Sequence, residues 1–373
     1  MVKSIGQSEH VWTKEWDNLT PVSEIRMWDY FGLRQWISKF TPRFGKTIEA
    51  GSGLGRYVFY FSRMGVDIEG VDFSEPVIES LNKWKDENGF DTRFIKGNIL
   101  NLDYPDNSLS GYISLGVVEH FIEGPKAALE EAYRVLRPGG IAIISTPSKS
   151  FYILYRDFIS AIKNIVKKLI LYKKKESPFF QYWYRPKKLS RFVREAGFDV
   201  RISRGADLMF VFCELGRFTD KYIGNGKFGY NFSNRFESSF LSALGAQSIT
   251  ISVKRAPVMH CFFCGELKAD EKSLDKYQIP VCSGCAEKKI SSFYEKTGVA
   301  KYSKPYEISP PVKLPESCKC SFCGNEYTSD IIFEDYGFDR LVCPVCLKKS
   351  EVNLLLANEN VMPVWRKRNS GLL

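Results

Sequence analysis

From Lys46 onward, short apolar runs alternate with longer stretches in which apolar residues recur every three or four positions. KTIEAG, GVDIEGVD, TRFIKGN, GYISLG and GIAIIST, each bounded by Gly, Asp or Asn, read as strands. LGRYVFYFSRMG, SEPVIESLNKWKDENG and GPKAALEEAYRVLRPGG lie between them and read as helices. Ser74 is a candidate N-cap with Pro76 in the first turn, and Pro125 follows Gly124 at the next helix start. The pattern resumes with a helix in PKKLSRFVREAG and strands in FDVRISR and SITISVKR. Repeated β-α-β order predicts an α/β fold with a parallel, doubly wound sheet.

The interruptions divide the chain. Residues 1–42, rich in Trp and polar residues, read as an N-terminal helical cap, and 43–256 as the α/β domain. Within it, 148–184 breaks the alternation. In FYILYRDFISAIKNIVKKLILYKKK, Leu154, Phe158, Ile159, Ile162, Ile165, Val166 and Leu169 fall on one face, with Lys163, Lys167 and Lys168 between them. This basic amphipathic helix reads as a lid over a pocket, as a membrane-surface helix across 151–175, or as a nucleic-acid contact. The run that follows places Tyr182, Trp183 and Tyr184 as core, lid or pocket lining.

Beyond Ala256 an internal repeat appears: CFFCGE then PVCSGC recurs as CSFCGN then LVCPVC. It defines modules at 257–300 and 317–373, the second with a tail, joined by a Pro-rich extended linker at 301–316. Cys261, Cys264, Cys282 and Cys285, and again Cys320, Cys323, Cys343 and Cys346, offer four thiolates each, a set suited to tetrahedral zinc. Two zinc ions are expected. Gly265 and Gly324 follow the first pairs, and each second pair opens a helix-like segment, a layout resembling treble-clef fingers. Cys213 and Cys318 are left over, Cys318 as a possible substitute for Cys320. Modules of about 40 residues depend on metal to fold, whereas the α/β domain is expected to stand on its own core.

Charge narrows the partners. The net charge is +10, but residues 148–188 hold eleven Lys and Arg against Asp157 and Glu176, so the rest is nearly balanced. The cysteine modules are not basic: 257–300 has six Lys and six acids, and thiolate ligands add negative charge. Nucleic acid is therefore disfavoured there, and a structural or protein-contact role preferred. There is no signal-like amino terminus and no uncharged apolar run of about 18 residues. A cytoplasmic chain with reduced cysteines is expected, with peripheral membrane contact through 151–175 as an added possibility.

The first strand runs into Glu49-Ala50-Gly51-Ser52-Gly53-Leu54-Gly55. Glycines here turn the chain sharply and bring backbone N–H groups to a ligand; the plain alternative is a tight turn with none. Asp72 ends the next strand, about twenty residues on, where a carboxylate can accept both hydroxyls of a ribose. The spacing is GxGxG, not the GxGxxG of dinucleotide sites.

TIEAGSGLG, GVDFSEPVIESL, FIKGNILNLDYPDNSLS, LGVVEHF and YRVLRPGGIAIISTP resemble, in order and spacing, successive motifs of class I S-adenosylmethionine-dependent methyltransferases. The resemblance is close over 45–147 and weaker to about 255. It implies a Rossmann-like sheet, mostly parallel with an antiparallel late strand, and S-adenosylmethionine as cofactor. It further implies Glu49, Gly51 and Gly53 at the methionine end, Asp72 on the ribose and Phe73 beside the adenine. Asn98 and Ile99 would meet the adenine edge and face, and Leu115 and Gly116 would line the site. The family often has Asp at the Asn98 position, so that hydrogen bond is expected to be weaker or reversed in polarity.

A sulfonium methyl is already activated, so a base is needed only where the acceptor must lose a proton. His120, one of three histidines, is the candidate; its alternative is a helix-start residue that bonds the backbone. Glu119 reads as structural or cofactor-adjacent. No Asn/Asp-Pro-Pro-aromatic run follows the fourth strand, which disfavours methylation of base amines. The implied activity is methyl transfer to a small-molecule or lipid-like acceptor, at oxygen. A protein or RNA methyltransferase using the fingers for recognition, and an inactive adaptor keeping the fold, are the alternatives.

Overall fold

The computed structural model describes residues 32–42, 44–63, 66–88, 90–150, 181–208, 236–237, 239–270, 272–275 and 277–287, and the backbone of five short strands beyond 317. The basic helix at 151–175, the 301–316 linker, Cys213 and the quartet Cys320, Cys323, Cys343 and Cys346 lie outside the described residues.

A seven-stranded sheet organises the domain, in the order β3-β2-β1-β4-β5-β7-β6. Its strands are β1 (Thr47–Ala50), β2 (Ile68–Asp72), β3 (Arg93–Lys96), β4 (Leu109–Leu115), β5 (Leu136–Pro147), β6 (Asp199–Ala206) and β7 (Gln247–Val253). Strands β1 to β5 pair in parallel, while β7 runs antiparallel to both β5 and β6. This is the mostly parallel, Rossmann-like architecture with one antiparallel strand that the resemblance implies. Every residue of β1 and β2 is buried, because helices cover both faces.

One face carries α1 (Leu33–Phe40), α2 (Arg56–Arg63) and α3 (Glu75–Glu87). Trp36, Ile37, Phe40, Phe59, Phe61 and Leu81 pack there on Ile113, Ile143 and Ile251. The other face carries α4 (Lys126–Val135) and α5 (Pro186–Glu195), whose Leu129, Leu189 and Val193 meet Ile48, Tyr112 and Ile144. Ser74 does occupy the N-cap position of α3, extended, with Pro76 in the first turn, but its hydroxyl makes no cap bond.

The sequence assigns Arg137 to Gly140 to the end of a helix; the structure places them in β5. Gly139, at φ +82°, donates its N–H to Lys254 O (2.7 Å), and Lys254 N–H returns to Gly140 O (3.1 Å). A long-range pairing thus overrides a local stop signal.

The first cysteine segment closes the amino-terminal edge of the sheet. The hairpin β8 (Val258–His260) and β9 (Leu267–Asp270) brackets Cys261 and Cys264, and α6 (Ser283–Glu287) starts beside Cys282. Its side chains do not form a separate core. Phe262, Phe263, Ile279 and Val281 join the cluster that holds Phe40, Ile141 and Ile251. Tyr277 meets the Phe40 ring edge-on (centroids 5.5 Å apart), and Lys39 Nζ donates to its hydroxyl at 2.8 Å. A methyl on Gly139 would sit 2.6 Å from His260 O, so only glycine permits this approach.

Beyond 317, Cys318–Lys319 (β10) pairs antiparallel with Glu326–Tyr327 (β11). A three-stranded sheet follows, in the order β13 (Arg340–Val342), β12 (Ile331–Asp335), β14 (Pro363–Lys367).

Candidate functional site

The carboxyl ends of β3, β2, β1 and β4 lie side by side, and the sequence-chosen residues sit on them. After Ala50 the chain passes through Gly51, Gly53 and Gly55, all with positive φ (+76°, +49° and +74°), and enters α2. Gly51 N–H and Ser52 N–H donate to Val71 O (2.7 and 3.1 Å), tying the loop to β2. A Cβ on Gly51 would fall 2.4 Å from Val117 Cγ2, so the loop also abuts the segment after β4.

Two buried carboxylates hold this loop. Glu49 Oε2 accepts from Val58 N–H (3.1 Å) in the first turn of α2, where the helix dipole favours an anion. Asp72 accepts from Gly53 N–H at Oδ2 (2.9 Å) and from Ser74 N–H at Oδ1 (3.2 Å). Burial raises the Asp72 pKa, opposed by the N–H groups of Gly53, Ser74 and Phe73. A carboxylate offers about four lone-pair sites, more than these N–H groups occupy. Acceptor capacity therefore remains for a ligand hydroxyl.

Beside β2, Asn98 Oδ1 is taken by Leu100 N–H (3.0 Å), and Ile99 is buried. Leu115 ends β4, and Gly116, at φ +72°, donates to Ser145 O (2.9 Å).

His120 closes the 3-10 turn Val118–His120. Its side chain is 14% exposed, and Nε2 lies 3.9 Å from Glu119 Oε1. Glu119 itself is 1% exposed, and neither carboxyl oxygen has a hydrogen-bond partner among the described residues. Burial pushes its pKa up to about 8, offset in part by its own backbone amide. Opposite stand Tyr182 and Tyr184, stacked at 5.8 Å; Tyr182 N–H donates to Glu119 O at 3.0 Å.

Sequence reasoning missed a polar group at the carboxyl end of β6. Asp207 Oδ1 accepts from Leu33 N–H (2.9 Å), and Glu237 accepts from Asp207 N–H (2.7 Å) and Leu208 N–H (3.1 Å). Both carboxyls are pushed up by burial, Glu237 also by the charge of Asp207. Nothing local marks this pair, whose members are thirty residues apart.

At the opposite end of the sheet, the sulfurs of Cys261, Cys264, Cys282 and Cys285 lie within 4.8 Å of one another. Cys264 and Cys282 Sγ are 3.7 Å apart. Tetrahedral thiolates at about 2.3 Å from zinc sit about 3.8 Å apart. Gly265, at φ +73°, returns its N–H to Cys261 O (2.9 Å) in a tight knuckle, and Cys282 N–H points at Cys261 Sγ (3.3 Å).

Comparison with known proteins agrees with this layout. Residues 48–144 match the family model described as a methyltransferase domain. The chain is 27% identical over 150 residues to a demethylmenaquinone methyltransferase of Thermus thermophilus, covering 37% of this chain and 66% of that one, just under two thirds. It is 26% identical over 205 residues to the Staphylococcus aureus protein of the same name, covering 51% and 83%. A SAM-dependent methyltransferase of Aquifex aeolicus superposes with a TM-score of 0.41 at 14% identity, over 66% of this chain and 98% of that one. Residues 48–144 thus form a methyltransferase domain, and S-adenosylmethionine is the cofactor expected of that fold.

Proposed function

We propose that this enzyme moves the methyl group of S-adenosylmethionine to a small-molecule or lipid-like acceptor at oxygen, with His120 taking the acceptor's proton. The observation that carries the reading is the placement of His120. It stands directly after β4, beside the strand that feeds the glycine loop, and is mostly sheltered yet 14% exposed. A sheltered base next to an activated methyl needs only alignment and exclusion of water.

In this reading Glu49, Gly51 and Gly53 hold the methionine end. Asp72 takes the ribose hydroxyls, Phe73, Asn98 and Ile99 frame the adenine, and Leu115 and Gly116 floor the site. The curated relatives are named for demethylmenaquinone, a quinone, which favours a lipid-like acceptor. Zinc in the Cys261–Cys285 quartet is structural. The quartet borders the amino end of β5, whereas catalysis belongs to the carboxyl end. Seven residue steps from Gly140 to Pro147 separate the two by about 23 Å.

The test is transfer of labelled methyl from the cofactor to fractions of a cell extract. Label is expected in organic-soluble small molecules and is to vanish with His120→Ala. Label in the protein or RNA fraction instead would overturn the acceptor class.

A further inference from the structure

Glu119 has no use in the methyl transfer described so far, yet its surroundings are those of a binding group. Its carboxyl is almost wholly buried, with both oxygens unpartnered among the described residues. Leaving such a group unsatisfied costs several kcal/mol, and native proteins keep few of them without a ligand, an ion or a water to answer them. The carboxyl also lies at the cofactor loop. A Cβ on Gly116 would be 3.6 Å from Glu119 Oε1, and Val117, two residues before Glu119, packs its side chain against Gly51. The protein side offers little to satisfy it: the ring of His120 at 3.9 Å and the tyrosine pair Tyr182 and Tyr184.

The missing partner must bring N–H or O–H donors, and a positive charge suits an anion best. S-adenosylmethionine carries two cationic centres. Its sulfonium has charge but no hydrogen-bond donor. Its ammonium has both, with three donors for the two empty oxygens. We propose that Glu119 binds the ammonium of the cofactor's methionine tail as its counter-charge. This rests on the methyltransferase reading above and adds a residue to it. Glu49, the other acid of the region, is already engaged with the α2 amide of Val58. The ammonium therefore pairs with the carboxylate after β4, while the glycine loop receives the rest of the tail.

The experiment is calorimetric titration of wild type and Glu119→Gln with three ligands. They are S-adenosylmethionine, S-adenosylhomocysteine (ammonium but no sulfonium) and methylthioadenosine (neither). The amide is nearly isosteric and carries no charge. Loss of one charged hydrogen-bonded contact should weaken the first two by about ten- to hundred-fold. Methylthioadenosine should bind both proteins equally, which also shows that the variant is folded. Unchanged affinity for the first two ligands would overturn the proposal. So would a loss confined to S-adenosylmethionine, which would put the carboxyl at the sulfonium methyl. A wild type that binds none of the three takes the methyltransferase reading down as well, a distinct outcome.

Discussion

Replacing Glu119 by Gln should make the ligand-free enzyme more stable at neutral and alkaline pH, and hardly at all in acid. The folded carboxyl holds its proton to a pKa of about 8, against an ordinary value of 4.5, because it is buried without partners. Between those values the folded state binds more protons than the unfolded one, so stability falls as pH rises from about 4.5 to about 8. Each unit corresponds to about 1.4 kcal/mol, so the loss between pH 5 and pH 7.5 is on the order of 3 kcal/mol. The groups facing Glu119 are His120 on its own turn and Tyr182 and Tyr184 across it. Urea unfolding followed by tryptophan fluorescence across pH 5–8.5 measures the effect. The wild type should lose stability along this range through this group, and Glu119→Gln should remove that component. Equal pH slopes in the two proteins would refute the reasoning and show the carboxyl to be solvated. Saturating S-adenosylmethionine should flatten the wild-type slope, since a bound ammonium keeps the carboxylate charged at neutral pH.

Four further outcomes follow from the geometry. Asp72→Ala should weaken S-adenosylmethionine binding by about 1.5–3 kcal/mol, read by calorimetry, because a charged acceptor and the clamp on Gly53 are both lost. His120→Ala should lower turnover by about 10²–10⁴-fold with little change in cofactor affinity; near-normal turnover leaves it a structural residue. Gly139→Ala should destabilise the folded domain by about 2 kcal/mol or more in urea titration, because its methyl meets His260 backbone atoms at 2.6 and 2.9 Å at a φ of +82°. Metal analysis should find two zinc ions in the reduced protein and one in Cys264→Ser, and that variant should also lower the melting temperature of the methyltransferase domain, because Phe262 and Ile279 share its core.

The parts of this molecule legible in the sequence are those fixed by local chemistry. Strands β1 to β5 announce themselves as short apolar runs between turn residues, and the glycine loop and Asp72 by their spacing. The quartet Cys261, Cys264, Cys282 and Cys285 is equally legible, because CxxC spacing and a glycine knuckle dictate where the sulfurs converge. What local pattern does not carry is the environment supplied by distant residues. Arg137 to Gly140 have the composition of a helix stop, and only Lys254, more than a hundred residues later, makes them a strand. Glu119 looks like one more polar residue beside a histidine until Tyr182 and Tyr184 close over it. The docking of Tyr277 on Phe40 and Lys39 leaves no trace in the periodicity of either segment.

Helix α1 is made early and finished late. Its first turn is held by Asp207, 174 residues away in sequence, and its last by Tyr277, 238 residues beyond Lys39. A ribosome adding about 5–20 residues per second needs on the order of 10–50 s to deliver that second anchor. Within that interval the strands that cover Trp36, Ile37 and Phe40 emerge one after another, with Ile113, Ile143 and finally Ile251. Before those strands emerge, the nascent chain carries an uncovered aromatic stripe, an invitation to a chaperone or to aggregation. That interval ends only when the cysteine segment has left the exit tunnel. The cysteine segment thus adds the last tie on α1, after its other packing partners have been made.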